Sequence, residues 1–307
     1  MSRNFLVSMA VVLALGFGAI SIVNAQEFSD WSAPANLGPA INTSYGESCV
    51  SVSKNGLSLY FASSRPPENG VSWDLWVVQR ARVEDEWGTP QWLGPNINST
   101  YSESCPALSL DEHRLYFVST RPGGCGGGDL YVSRRHNRRD DFGWEPAENL
   151  GCIPDGYVNS SAGEATAAFF EDETGTLIMY FTKAGDIYAS AMRDDDTFGP
   201  PEIVGELSIP GYSENGATIR RDGLEVIFSS NRPGGSGGMD LWMSTRDSTS
   251  EPWSAPVNLA VLNSPLMDGG RMSLSFDGCA LYFTSGRPGG FGSGDLYVTT
   301  RSKLSKE

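Results

Sequence analysis

The chain has 307 residues, enough for one large domain or two ordinary ones. Its 37 acidic and 22 basic side chains give a net charge of −15, and such a chain is repelled by nucleic acids and anionic membrane surfaces. With two histidines, and five cysteines that form no C-x-x-C pair, there is almost no material for a zinc site. We therefore predict no metal, no cofactor and no nucleic-acid partner.

The first predicted element is an export signal over residues 1–25. Arg3 forms a small basic region, an apolar run follows, and Val23-Asn24-Ala25 has the small-x-small form of a cleavage site. The alternative is an uncleaved membrane anchor, because the apolar run approaches the length of a spanning helix. We predict cleavage after Ala25, no further membrane span, and a monomeric protein that is periplasmic or secreted.

The remaining residues, 26–307, are predicted to form a single domain of repeats. A lone strand-like piece comes first, and five units follow. The piece spans residues 28–38, and the units span about 40–95, 96–152, 153–206, 207–260 and 261–301. An aspartate marks the same point in each unit, with spacings of 54 to 57 residues: Asp74, Asp129, Asp186, Asp240 and Asp295. Self-similarity at a fixed period is the signature of a repeat architecture.

The units contain short aromatic and β-branched runs bounded by turn residues, which is typical of strands. We name the four strands of a unit a, b, c and d. Four strands per radially arranged repeat predict an all-β, five-bladed β-propeller. The last unit lacks its d strand, and residues 28–38 are expected to supply it. This pairing would close the ring and leave no unpaired edge at the junction.

The segment LYFVSTRPGGCGGGDLYV, from Leu115 to Val132, resembles the WD40-like repeat of TolB-type bacterial propellers. The resemblance covers four units, which are built on Tyr60, Tyr116, Ile227 and Tyr282. The third unit departs from it, because Lys183-Ala184-Gly185-Asp186 replaces the long loop. The resemblance implies the propeller fold and a scaffold that binds proteins or peptides in the cell envelope.

Alternating strand directions place the b–c loops and the d–a segments on one face, called here the long-loop face. An arginine ends strand b and an aspartate begins strand c, so the two can meet across the base of the loop. The predicted structural pairs are Arg65–Asp74, Arg121–Asp129, Arg232–Asp240 and Arg287–Asp295. The alternative is a ring of arginines that binds an anionic ligand.

An acidic residue precedes strand a in successive units and is predicted to ring the mouth of the central channel. These residues are Glu47, Glu103, Glu164 and Glu214. They have three alternative roles: structural or solvated groups, a binding site for a cation or a basic partner, or catalysis. Glycoside hydrolysis needs two carboxylates at a defined separation, and five-bladed arabinanase-like glycosidases exist. The acids in this sequence are near-equivalent copies, which favours the non-catalytic roles.

The short loop of the third unit predicts a notch in the rim of the long-loop face. Ligand contacts are expected near it, at Tyr157, Glu164 and Lys183. Our leading hypothesis is an exported, non-catalytic binding module for a protein, peptide or glycan on this face. The alternative is a carboxylate-dependent glycoside hydrolase that uses the acids of the same face at the central channel.

Two disulfides are predicted, since an exported protein can form them. Cys125 lies in a b–c loop and Cys152 in the following d–a segment, on the same face. Cys49 and Cys105 occupy equivalent positions on adjacent inner strands, where they form a second bridge or remain two small buried side chains. Cys279 is then the free thiol.

Overall fold

A computed structural model describes residues 26–66, 73–152 and 158–305. The secondary structure of these residues is all β, with twenty strands arranged in five four-stranded antiparallel sheets. The predicted five-bladed β-propeller is therefore confirmed. No helix in this part of the chain is long and apolar enough to cross a membrane. The predicted signal, residues 1–25, lies outside the described residues.

The blades follow one another along the chain, and each runs from an inner strand a to an outer strand d. Blade 1 contains β2 (Glu47–Val52), β3 (Ser58–Ser63), β4 (Asp74–Gln79) and β5 (Gln91–Trp92). Blade 2 contains β6 (Glu103–Leu108), β7 (Arg114–Ser119), β8 (Asp129–Arg134) and β9 (Glu148–Asn149). Blade 3 contains β10 (Glu164–Glu171), β11 (Leu177–Lys183), β12 (Asp186–Ala191) and β13 (Glu202–Ile203). Blade 4 contains β14 (Glu214–Ile219), β15 (Glu225–Ser230), β16 (Asp240–Thr245) and β17 (Val257–Asn258).

Blade 5 is completed from the other end of the described chain. It contains β18 (Asp268–Leu274), β19 (Ala280–Ser285), β20 (Asp295–Thr300) and β1 (Ala35–Asn36). The β1–β20 pairing sets Ala35 opposite Val298 in antiparallel register. Just before β1, Trp31 is buried in the core of this blade, with the Arg301 guanidinium 4.2 Å from its ring centroid. The predicted closure of the ring is thus confirmed.

The core lies between the blades, because each sheet packs against a neighbour on both of its faces. Strands β3 and β15 are buried along their whole length, which explains why their central residues, Leu59–Ala62 and Val226–Phe228, are apolar without alternation. The largest fully buried side chains include aromatic residues from several blades: Tyr60, Tyr116, Phe61, Phe117, Phe181, Phe228 and Phe283.

The inner strands all bend at their third residue, where the backbone has a positive φ. The φ values are 49° at Cys49, 51° at Cys105, 45° at Thr166, 66° at Gly216 and 66° at Gly270. The pairing of strand a with strand b shifts register around this residue in every blade, as a β-bulge does. Glycine is required at Gly216, where a Cβ atom would lie 1.9 Å from the Gly270 carbonyl oxygen of blade 5.

The same bulge position carries a covalent link between blades 1 and 2. A disulfide joins Cys49 to Cys105, and a second one joins Cys125 to Cys152 on the long-loop face. These are the two pairings that the sequence predicts. Cys279 is the free cysteine.

Replacing Cys49 and Cys105 together by serine is expected to lower the free energy of unfolding by about 4 kcal/mol. The reason is that the bridge links residues 56 positions apart and restricts the unfolded chain. Urea denaturation under non-reducing conditions measures the change. The free thiol offers a matched control, since Cys279→Ser should stay within about 0.5 kcal/mol of the wild type. Equal midpoints for the two variants would contradict the prediction.

Candidate active site

The long-loop face is organised by a buried acid at the first position of each inner strand. These acids are Glu47, Glu103, Glu164, Glu214 and Asp268. In blade 2, Glu103 Oε2 accepts the Ser99 backbone N–H at 2.9 Å. Its Oε1 accepts the hydroxyls of Ser99 and Ser119, each at 2.7 Å. The side chain has no exposed area, so it does not line an open channel mouth as the sequence suggested.

The arginines at the ends of the b strands pair with these acids and not with the aspartates. Arg121 Nη2 lies 3.2 Å from Glu103 Oε1 and also donates to the Ile97 carbonyl. The same pairing occurs in three other blades: Arg65–Glu47 at 3.2 Å, Arg232–Glu214 at 3.1 Å and Arg287–Asp268 at 2.9 Å. The predicted pairs Arg65–Asp74, Arg121–Asp129, Arg232–Asp240 and Arg287–Asp295 are therefore wrong.

Sheet register explains this correction. Ser119, and not Arg121, stands opposite Asp129 in the β7–β8 pair. Arg121 lies beyond the end of that pair, and its Nε donates back to Ser119 Oγ at 2.8 Å. Its guanidinium is thereby directed inward to Glu103. We call the acid, the serine and the arginine of one blade an acid bracket.

The aspartates at the starts of the c strands hold the loops instead. Asp129 Oδ2 accepts the backbone N–H of Cys125 at 2.8 Å and that of Gly126 at 3.4 Å. A Cβ atom at Gly124 would lie 1.7 Å from this oxygen, which accounts for glycine there. In blade 1, burial raises the pKa of Asp74 to about 6, although a hydrogen bond from Trp92 opposes the shift.

Blade 3 departs from the other four at its acid. Glu164 accepts the backbone N–H of Ser160 at 2.8 Å and its hydroxyl at 2.5 Å, but its cation is Lys183, whose Nζ is 3.8 Å away. Lys183 stands directly opposite Glu164 in the β10–β11 pair, which is the position that the bracket serine holds in the other blades, as Ser119 does opposite Glu103. Burial raises the pKa of Glu164, while the Ser160 hydrogen bonds and the Lys183 ammonium partly oppose the rise.

The b–c turn beside this acid is short. β11 ends at Lys183 and β12 begins at Asp186, so only Ala184 and Gly185 form the b–c turn. Their φ values of 54° and 88° suit a two-residue hairpin. Of the residues predicted at this notch, Lys183 does meet Glu164, while Tyr157 lies outside the described residues. The fourth predicted acid, Glu214, belongs to the separate bracket of blade 4.

A second carboxylate lies near Glu164, across the junction of blades 2 and 3. The Glu164 backbone N–H donates to the Gly128 carbonyl at 2.9 Å, which brings the next residue, Asp129, close to it. The negative charge of Asp129 contributes to the raised pKa of Glu164. The junction therefore holds two carboxylates in unlike surroundings.

Exposed tyrosines lie on the long-loop face just before the inner strands of blades 1, 2 and 4. Tyr45, Tyr101 and Tyr212 are 44%, 43% and 39% exposed, and each lies two positions before the acid of its blade. Aromatic side chains on rigid loops are suited to contact a ligand. They were not among our predicted site residues, although their constant offset from the acid could have indicated them.

Sequence reasoning also missed Arg271, the one arginine within the five inner strands. Its signal was the arginine inside the run DGGRMSL. The other four inner strands have no charged side chain between their first and last residues. Arg271 lies in the central channel, where it donates to backbone carbonyls of blades 1 and 3.

No family model matches this chain, and no curated protein matches it. Many solved structures share its fold. The catalytic domain of a GH62 α-L-arabinofuranosidase from Coprinopsis cinerea is 14% identical over 89% of this chain and 97% of its own, with a TM-score of 0.55. The GH43_1 enzyme from Xanthomonas citri is 14% identical over 89% of this chain and 90% of its own, with a TM-score of 0.57. An endo-arabinase from Bacteroides thetaiotaomicron is 15% identical over 90% of this chain and 98% of its own, with a TM-score of 0.55.

At this level of identity the similarities establish the fold. They also bear on our functional prediction, because the matching proteins named above are glycoside hydrolases and not binding modules. This finding overturns the prediction of a non-catalytic binding module and favours the alternative.

Removing a bracket acid is expected to destabilise the protein strongly. Glu103→Ala leaves the Arg121 guanidinium without its carboxylate, and the free energy of unfolding should fall by about 3 kcal/mol. The exposed Arg134–Glu148 pair of the same blade provides the control. Its side chains are 42% and 66% exposed, so Glu148→Ala should cost at most about 1 kcal/mol. Chemical denaturation compares the two, and similar losses would argue against a structural bracket.

Proposed function

We propose that the protein is a carboxylate-dependent glycoside hydrolase, with Glu164 as the proton donor at the junction of blades 2 and 3. The observation that carries the proposal is the departure of Glu164 from its four siblings. Lys183 stands opposite Glu164 at the strand position where the siblings carry the bracket serine, and its ammonium is the cation of this acid. Hydrolysis of a glycosidic bond needs two carboxylates with different roles, and five equivalent brackets could not supply them.

The raised pKa of Glu164 suits a general acid. Burial is the main cause of the rise, and it favours the protonated carboxyl that must donate to the leaving oxygen. Asp129 is the second carboxylate of the proposal. Its Oδ2 accepts two backbone N–H groups, which hold the side chain in place as an acceptor. Asp129 would act as the base or the nucleophile.

The substrate must reach Glu164 through the notch of blade 3. The Lys183 side chain covers the acid but is itself 17% exposed, and the turn beside it has only two residues. In the proposal, a sugar ring takes the position of the Lys183 ammonium above the carboxyl group. The exposed Tyr45, Tyr101 and Tyr212 then offer aromatic surfaces for neighbouring sugar units.

Arabinose- and xylose-containing oligosaccharides are the first substrates to consider. Proteins with the same fold are an α-L-arabinofuranosidase and an endo-arabinase, and one was solved with xylotriose bound. We also propose that the enzyme acts outside the cytoplasm as a monomer. The apolar segment before residue 26 and the two disulfides support export.

The proposal is tested by incubating the purified protein with arabino- and xylo-oligosaccharides and measuring the release of reducing sugar. Glu164→Gln keeps the shape of the side chain but removes its proton, and turnover should fall about 10²- to 10⁴-fold. Glu103→Gln is the matched control, because Glu103 begins the inner strand of blade 2 as Glu164 does in blade 3. Its turnover should stay within a few-fold of the wild type.

Circular dichroism of both variants must show the wild-type spectrum for this comparison to count. An inactive wild-type protein on all of these substrates would refute the hydrolase. Equal losses in Glu164→Gln and Glu103→Gln would refute the role of Glu164.

The pH dependence of turnover gives a separate test. A general acid works only while protonated, so kcat/KM should fall as pH rises through the pKa of Glu164. Since burial raises this pKa, the fall should lie above the ordinary glutamate value of about 4.3. The positive charge of Lys183 lowers the pKa of Glu164. Lys183→Met removes this charge, so the decline in kcat/KM should move to still higher pH. A shift to lower pH in this variant would contradict the assignment.

A further inference from the structure

The opposite end of the central channel opens into a small cavity. It lies among the turns that join strands a and b, on what we call the turn face. Its volume is about 110 Å³, roughly that of three to four water molecules. Buried polar groups from three blades line it: Arg271 and Ser273 of blade 5, Ser51 of blade 1 and Thr218 of blade 4.

Arg271 reaches across the channel to form the inner end of this cavity. Its Nε donates to the Ala167 carbonyl of blade 3 at 2.9 Å, and its Nη1 donates to the Val50 carbonyl of blade 1 at 2.5 Å and to its neighbour Met272 at 3.3 Å. A guanidinium has five N–H donors. The two N–H donors on Nη2 of Arg271 have no acceptor among the described residues.

No carboxylate compensates the positive charge of Arg271. Its hydrogen-bond partners are all backbone carbonyls, and it forms no ion pair within the described part of the chain. The residue is only 5% exposed. Burial lowers the pKa of Arg271 to about 9, with no contribution from an acidic neighbour. An unpaired buried charge is costly, so an anion in the adjoining cavity would be stabilised.

Three hydroxyl groups in the cavity retain a proton to donate. Ser51 Oγ accepts the Leu108 backbone N–H, Ser273 Oγ accepts that of Val52, and Thr218 Oγ1 accepts that of Leu274, at 3.1 to 3.2 Å. Each hydroxyl is thereby held in place as an acceptor. Since a hydroxyl also has one O–H donor, three such donors remain without a protein acceptor among the described residues.

The outer part of the cavity is also positive. Lys54 and Arg221 lie at its mouth, 4.4 Å and 4.5 Å from the ring centroid of Phe276. Glu112 is the one carboxylate among the lining residues, and its Oε1 accepts the Lys54 backbone N–H at 2.6 Å. Three cations against one carboxylate make this cavity positive, although the chain carries a net charge of −15.

We propose that this cavity binds a small organic carboxylate between the Arg271 guanidinium and the hydroxyls of Ser51, Thr218 and Ser273. The volume leaves room for a group larger than a halide ion, and one buried guanidinium balances one negative charge. The donors are directed from several blades, which suits the two oxygens of a carboxylate. The site is separate from the proposed hydrolase, since it lies at the other end of the channel.

The probe for this site is sodium acetate, added to the mature protein in a carboxylate-free buffer at constant ionic strength. A ligand that binds only the folded state raises Tm in a saturable way. We expect such a rise with acetate and a much smaller one with an equal concentration of sodium chloride. No saturable rise with acetate, or an equal rise with chloride, would overturn the assignment of a carboxylate site.

Variants locate the binding. Thr218→Val removes one O–H donor and should weaken acetate binding about tenfold or more. Lys54→Gln removes an exposed charge at the mouth, which does not threaten folding, and should weaken binding several-fold. Thr284→Val is the matched control, because Thr284 also accepts a backbone N–H from an inner strand but lies outside the cavity. Wild-type affinity in both cavity variants, or an equal loss in the control, would overturn the proposal.

Discussion

The burial of a carboxylate at the start of every inner strand is the constraint on which the long-loop face depends. A charge closed off from water is tolerated only when hydrogen bonds and an opposite charge surround it. The bracket of blade 2 meets this requirement by joining the d–a segment through Ser99, strand b through Ser119, and the b–c loop through Arg121. The acid thus links the segment before strand a to strand b and to the start of the b–c loop. Repeated around the ring, such brackets form a rigid rim.

A change in one bracket therefore alters the chemistry of its acid more than the fold. In blade 3 the four strands pair as in the other blades, yet Lys183 occupies the position of the bracket serine and serves as the cation in place of an arginine. A lysine ammonium is a single point charge, whereas a guanidinium also binds the nearby carbonyl and serine. Glu164 is consequently held less completely, and burial raises its pKa. The short b–c turn and the different surroundings of this acid thus occur together in blade 3.

The fold was readable from the sequence because a propeller repeats its local signals at a constant period. Ring closure followed from the same period, since one unit lacked a d strand and one strand stood alone before the first unit. The partner of Arg121 was not readable. Arg121 and Asp129 flank one loop, but strand register and the inward turn of a long side chain decide which acid it meets. Arg271 was missed for a related reason, because its importance comes from carbonyls of two other blades.

The two ends of the channel differ in whether their buried charged side chains form ion pairs. On the long-loop side the acid at the start of each inner strand has a cation within 4 Å. On the turn side the buried Arg271 has only backbone carbonyls as partners among the described residues. Between the two lie the Cys49–Cys105 bridge and the Arg271 side chain, which crosses the channel. Coupling between the proposed hydrolase and the proposed anion site would have to pass through the inner strands, whose bulges and close contacts leave them little freedom to move.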